Sequence, residues 1–267
     1  MSRYKLAAVL ALSTCLTGCL QSNTLVKIKP DGSGTIEQTT LANLQAIKGM
    51  MAGVGGGQVK ETPGVMTEAD FKRTAERMGV TPVSLTPLKE GNFEGSKAIF
   101  AFDDITKVRV DQDPNMAGST GASTSKSPIR FGLTRQGASS ILTITLDETQ
   151  ADAAAAKAGA AASSQQATDA AMDPAVMQMV KTIFQGFKVG VDLQVEGKII
   201  KTNADYVSGS RVTLLEVDMA GLFEDEAKLK ALQSKFKPGM TLSEVRPYLK
   251  DLKGVKINNP NLTIEFR

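Results

Sequence analysis

The sequence predicts an α+β fold, a mainly antiparallel twisted sheet with helices packed on one face. Runs that alternate apolar and polar residues are joined by short Gly-containing turns, the pattern of hairpins rather than of βαβ crossovers. Between them lie stretches with apolar residues at spacings of three and four, without regular strand and helix alternation. The 267 residues contain no internal repeat, which argues against a solenoid.

In chain order, residues 24–29 (TLVKIK) alternate as a half-buried strand, and residues 35–41 (TIEQTTL) answer them across the turn PDGSG. Pro30, Asp31, Gly32 and Gly34 supply the fixed and positive φ values of a hairpin. Leu41, Leu44, Ile47 and Met51 recur at helical spacing until GVGGG at 53–57. A second helix opens on Thr67, with Asp70 three residues on as a capping box. It buries Phe71, Ala75 and Met78 and closes at Gly79. VTPVSLTPL carries Pro82 and Pro87 and reads as an edge strand. KAIFAF is a strand, and IRFGLTRQGASSILTITL is a hairpin turning at Gln136-Gly137. Residues 111–128, dense in Gly, Ser, Thr and Pro, form a flexible surface loop.

Residues 149–171 are an Ala-rich low-complexity insert. From 151 to 171, twelve of 21 residues are Ala and none is Val, Leu, Ile or Phe, so the segment has no large apolar stripe to bury. Asp173-Pro174 then begins a helix. Its stripe is Met172, Val176, Val180, Ile183 and Phe187, widened by Met177, Met179 and Phe184. Met adapts to irregular apolar surfaces, so Met177, Met179 and Phe184 are the candidate ligand-facing residues, although core packing on the sheet accounts for the same stripe. The last third gives three strands, FKVGVDLQV, KIIKTNADYV and RVTLLEVDM, joined at Glu196-Gly197 and Ser208-Gly209. A helix marked by Leu222, Leu229, Leu232 and Phe236 follows. A shorter one is capped by Thr241 and Glu244 and contains Pro247, and GVKINNPNLTIEF supplies the closing strands.

The amino terminus is of a different kind. Arg3 and Lys5 precede a short apolar run at 6–12, the order of a secretory signal peptide, and the run is too short to span a bilayer. Leu16-Thr17-Gly18-Cys19 resembles the lipobox of bacterial lipoproteins, in which the bond after Gly18 is cut and Cys19 is diacylated on sulfur and acylated on its new amine. The competing frame ending at Cys15 places β-branched Thr14 at the cleavage position, so Cys15 belongs to the discarded segment. The resemblance implies a signal peptide at 1–18, a lipidated tether at 19–23 and a single domain at 24–267. Acyl chains such as palmitate on Cys19 would hold it to the membrane, because two or more chains anchor stably. Leu20, rather than Asp, follows the cysteine. The usual sorting rule then implies the bacterial outer membrane, with the domain facing the periplasm.

Composition removes several chemistries. Arg3 and Lys5 leave with the signal peptide, so 31 basic residues become 29 against 28 acidic ones and the formal charge falls from +3 to about +1. That balance, without a basic run, gives no case for nucleic acid. There is no His, and the two Cys lie before residue 20, so Ser-His-Asp and Cys-His catalysis, imidazole or thiolate metal sites and disulfides in the mature domain are excluded.

The remaining motifs fail on spacing or context. DQDPNMAG, with Asp111, Asp113 and Asn115, opens like a calcium loop but has Met116 and Ala122 where Gly and an acidic ligand belong. Ser123 and Lys126 have the S-x-x-K spacing without its companion motifs. GVGGG lacks the strand-to-helix setting of a phosphate loop. Asp103-Asp104 caps a turn beginning at Ile105. The sequence therefore points to no catalytic residue, no metal and no cofactor.

Residues 191–218, VDLQVEGKIIKTNADYVSGSRVTLLEVD, resemble the strand, Gly-turn, strand, Gly-turn, strand pattern of LppM-like domains of bacterial lipoproteins, and residues 25–41 resemble the hairpin that follows the lipobox there. The resemblance implies a tethered, non-enzymatic domain holding an acyl chain or lipid in an apolar cavity between sheet and helices. The alternative is an envelope scaffold or protein-interaction lipoprotein without a small ligand. These differ in what they require: a closed apolar cavity near the Met-rich helix for the first, an exposed patch or open edge for the second.

Overall fold

The computed structural model describes residues 20–45, 64–111, 128–146, 186–224, 228 and 242–267. Cys15, Gly18, Cys19, the body of the expected loop, the Ala-rich insert, Met177, Met179, Phe184, and Leu229, Leu232 and Phe236 lie outside the described residues.

Sheet A has eight strands: β1 (Leu20–Ile28), β2 (Gly34–Asn43), β3 (Thr81–Glu90), β4 (Phe93–Phe102), β8 (Lys188–Val195), β10 (Val207–Ser208), β11 (Arg211–Asp218) and β12 (Val255–Ile257), in the order β10-β11-β8-β1-β2-β4-β3 with β12 also on β11. Sheet B has five: β5 (Val110–Asp111), β6 (Pro128–Gln136), β7 (Ser139–Leu146), β9 (Ile199–Thr202) and β13 (Asn261–Phe266), in the order β5-β6-β7-β13-β9. Three α-helices accompany them among the described residues: α1 (Glu68–Met78), α2 (Met219–Phe223) and α3 (Leu242–Leu249).

The described chain is thus mostly β, with two sheets, and this corrects the predicted α+β arrangement of helices packed on one face of one sheet. Val26, Ile28, Ile36, Phe100, Leu193 and Val212 of sheet A share one core with Ile129, Phe131, Leu142, Ile144, Leu262 and Phe266 of sheet B. A period-two pattern reports that one face of a strand is covered but not what covers it. Helices were expected to supply that cover, and over much of sheet A a second sheet does so. Among the described helices, α1 packs on sheet A as foreseen, and α3 packs through Leu249 against Leu252, Val255 and Ile257. Thr67 and Asp70 form both bonds of the capping box, Gly79 closes the helix at φ +71°, and Phe71 meets Phe100 with ring centroids 4.8 Å apart.

Among the described strands pairing is antiparallel except that β1 runs parallel to β8, from Gln21 beside Lys188 to Ile28 beside Val195. The expected tether at 19–23 shortens as a result. Leu20 to Asn23 belong to β1, paired with β2 on one side and, from Gln21 onward, with β8 on the other. Their alternation is hard to read in sequence because the inward positions after Leu20 are Ser22 and Thr24, at 7% and 3% exposure. Pro82 and Pro87 lie in β3, at one end of the strand order of sheet A. Gly137 turns the β6–β7 hairpin with φ +58°. Leu41, expected both to end the strand and to open the helix, lies in β2, which runs on to Asn43, and Leu44 and Gln45 are the first helical residues after it.

KIIKTNADYV does not form one strand. It breaks at Asn203, leaving β9 in sheet B and β10 in sheet A. The return crossing, from β12 to β13, passes through Asn258 to Pro260. Two changes of sheet therefore lie side by side.

Candidate functional site

The residues singled out as sites in the sequence, Cys19 with Gly18 and Met177, Met179 and Phe184, are outside the described residues; the nearest placed residues are Leu20 after Cys19 and Gly186 after Phe184. Cys19 directly precedes Leu20, the first residue of β1. Phe184 precedes β8 by a few residues, through the half-buried Phe187. Because β1 and β8 are parallel and start side by side, with Gln21 opposite Lys188, the chain from Cys19 and the chain from Phe184 enter sheet A at the same end. Parallel pairing of non-adjacent strands has no short-range sequence signal, so this convergence is invisible in the sequence.

The inner face of sheet A changes character along β1. At its finish, Val26, Ile28, Ile36, Phe100 and Leu193 are fully buried hydrocarbon. At its start, Leu20, Ala42 and Val189 alternate with Ser22, Thr24 and Ser96, all buried. Ser22 and Thr40 hydroxyls lie 3.5 Å apart, Ser96 Oγ donates to the Gly64 carbonyl and accepts from Met66 N–H, and Gln38 donates to Met78 Sδ at 4.0 Å. Gly95 is required here, because a Cβ would come within 1.8 Å of the Thr40 carbonyl oxygen.

The outer face of sheet A carries cross-strand charge. Glu37 on β2 bonds Lys27 on β1 and Lys97 on β4, the latter at 3.0 Å. Those bonds, Lys27 first, hold its carboxyl below the usual range. Asp192 accepts from Thr213 Oγ1 at 2.8 Å and from Arg211 at 3.1 Å. Glu216 takes Lys256 at 2.8 Å and shares Lys188 with Asp218. Asp31, Asp70 and Asp104 are also held low, by hydroxyl and backbone donors from Ser33, Thr67 and Thr106. Carboxyls shifted this way stay ionised at neutral pH and are poorly placed to donate a proton. Among the described residues no three His, Cys, Asp or Glu side chains gather as a metal site, and no helix is long and apolar enough to cross a membrane.

No protein-family model matches the chain, and no curated protein matches it. Among solved structures it is similar to the NMR structure of the folded domain of LppM from Mycobacterium tuberculosis, at 15% identity and a TM-score of 0.36, over 94% of this chain and 90% of that one.

One polar cluster among the described residues was not foreseen. It sits where two of the crossings between sheets, β9 to β10 and β12 to β13, meet, on the edge of β11 that β10 and β12 share end to end. Asn258, at 1% exposure, fills the gap between those two strands. Its N–H donates to the Leu214 carbonyl at 3.0 Å, its Nδ2 to the Thr213 carbonyl at 2.9 Å, and its Oδ1 accepts from Asp205 N–H at 2.8 Å and Asn259 N–H at 3.3 Å. The side-chain amide thus stands in for the missing strand backbone beside a register shift between Thr213 and Leu215. Asn203 does the same for sheet B, accepting from Thr263 N–H at 2.7 Å and donating to the Asn261 carbonyl at 3.0 Å. Arg246 of α3 donates to the Ile257 carbonyl at 3.1 Å and bonds Asn259 and Asp205, and Lys250 reaches Asp205 at 3.3 Å. The donors and acceptors are satisfied within the cluster, so its chemistry is structural. "NNPN" at 258–261 carried the only sequence hint.

Proposed function

We propose that this chain is a lipid-anchored protein of the bacterial envelope, held through acyl chains on Cys19, non-enzymatic, and binding a lipid or other apolar ligand. The observation that carries the anchor is Leu16-Thr17-Gly18-Cys19 ending one residue before a folded strand, so that cleavage after Gly18 leaves the domain whole. The ligand reading is supported by the Met-rich segment, whose chain continues into β8 at the end of sheet A where β1 begins. Leu20 after the cysteine favours delivery to the outer membrane with the domain in the periplasm.

The anchor is tested by expressing the full chain in a Gram-negative host and measuring the mass of its amino-terminal peptide. The expected peptide starts at Cys19 and carries diacylglycerol on sulfur and an acyl group on nitrogen, and Cys19→Ser abolishes both. A released chain with an unmodified Cys19 overturns the anchor. The ligand is tested by native mass spectrometry and solvent extraction of residues 20–267 purified from the periplasm without detergent. A stoichiometric lipid is expected, and an apo mass with no uptake of added lipid overturns that part.

A further inference from the structure

We infer that the start of sheet A is a membrane-contacting rim, so that the domain stands on the bilayer with its strands rising from it instead of swinging on a leash. The inference rests on lipidation of Cys19. Leu20 is 8% exposed and pairs with Ala42, and Gln21 already pairs with both Leu41 and Lys188. Consecutive Cα atoms are about 3.8 Å apart, so the acylated residue cannot leave this rim. A flexible linker would let the domain tumble, and none exists between the acyl-bearing residue and the middle of the sheet.

The described residues at that rim are set by register. Asn43 lies opposite Phe93, the Gly91-Asn92 turn joins β3 to β4, and Lys188 lies opposite Asp218. The Pro30 to Ser33 turn is at the other end of β1, about 30 Å away at 3.3 Å per residue. The partner surface is the headgroup layer of the bilayer into which Cys19 inserts. Charge does not select it: Lys89 is paired with Glu94, and Lys188 with Glu216 and Asp218. Contact follows from where the chain is tied, and it persists in high salt, which screens exposed charges.

The processed chain has no thiol other than the acylated Cys19, which allows single-site labelling. Asn92→Cys, in the exposed turn at the rim, and Gln136→Cys, the exposed last residue of β6 at the opposite end, are labelled with a fluorophore in the acylated protein. The protein is then reconstituted into phosphatidylcholine vesicles carrying a nitroxide on the headgroup. The probe at 92 is expected to be quenched several-fold more than that at 136, because collisional quenching does not reach across about 30 Å. A spacer of about 12 Gly and Ser residues between Cys19 and Leu20, with a reach of about 20 Å, is expected to bring the two signals together. Equal quenching in the spacer-free, acylated protein overturns the rim contact and leaves the anchor standing. A chain without acyl groups overturns both. Unequal quenching that survives the spacer overturns the tie at Cys19 as the cause of the contact.

Discussion

Sheets A and B are joined at two seams built from different materials. At the first, the Pro30 to Ser33 turn of sheet A rests on sheet B through exposed backbone: Ser140 Oγ donates to the Pro30 carbonyl at 2.8 Å and Arg135 to the Asp31 carbonyl at 2.5 Å. At the second, Asn203, Asn258 and Asn259 tie the two crossings together, with Asn258 out of water. Both seams hold the same sheets, yet they fail differently. A carbonyl at an exposed turn finds water when its partner is removed, whereas a buried amide or carbonyl finds nothing and carries its full desolvation cost.

The largest effect separating them is therefore expected from Asn258→Ala, which leaves two backbone N–H groups and the Thr213 carbonyl without that partner. Urea unfolding should show a loss of about 3 kcal/mol, and a loss like that at an exposed turn would remove the distinction between the seams. Gly32→Ala tests the first seam by shape. Gly32 has φ +88°, and its Cβ would come within 2.8 Å of Leu133 Cδ2 across the seam. About 2 kcal/mol is expected in the same assay. Ser140→Ala, which deletes only the bond to the Pro30 carbonyl, should cost about 1 kcal/mol.

The smallest effect is electrostatic. Hydrogen bonds from Ser33 Oγ and N–H hold Asp31 below its usual value of 3.8. A carboxyl with a lowered folded pKa adds stability above its unfolded pKa and loses it as pH falls through the folded value. Asp31→Asn should therefore narrow the difference between urea midpoints at pH 7 and pH 3, by little because the group is exposed. An unchanged difference would show that Ser33 holds the turn without help from the charge.

The contrast also explains which parts of the molecule the sequence reveals. The Pro30 to Ser33 turn, the α1 capping box and the edge prolines of β3 are local, with every determinant within a few residues, and each forms where it was expected; the turn expected at Gln136-Gly137 forms one residue on, at Gly137-Ala138. The fold class was misread because alternation along a strand does not say what covers it, and the division into two sheets stayed hidden because Asn203 and Asn258 act across distance. "KTNADYV" reads as continuous strand, and nothing nearby says that Asn203 closes sheet B while Val207 opens onto sheet A. The end of sheet A at Leu20 was half legible. Gly18-Cys19 is the proposed tie, but Ser22 and Thr24 on the inward side hid the strand that begins at Leu20. The residues named for ligand contact, Met177, Met179 and Phe184, lie beyond the described chain, although β8 fixes which end of the sheet their segment leads to.

The place of β1 sets a timetable. β2 follows it at once and closes one of its edges by a short hairpin, but its other neighbour, β8, is made only after most of the chain. Contacts so far apart in sequence form late and slowly. Until then the other edge of β1 stays unpaired. An open strand edge is a template for pairing with a neighbour. Mispairing between copies at β1 is therefore the misfolding hazard this topology creates, and the interval before Lys188 to Val195 arrives is when a chaperone would be of most use.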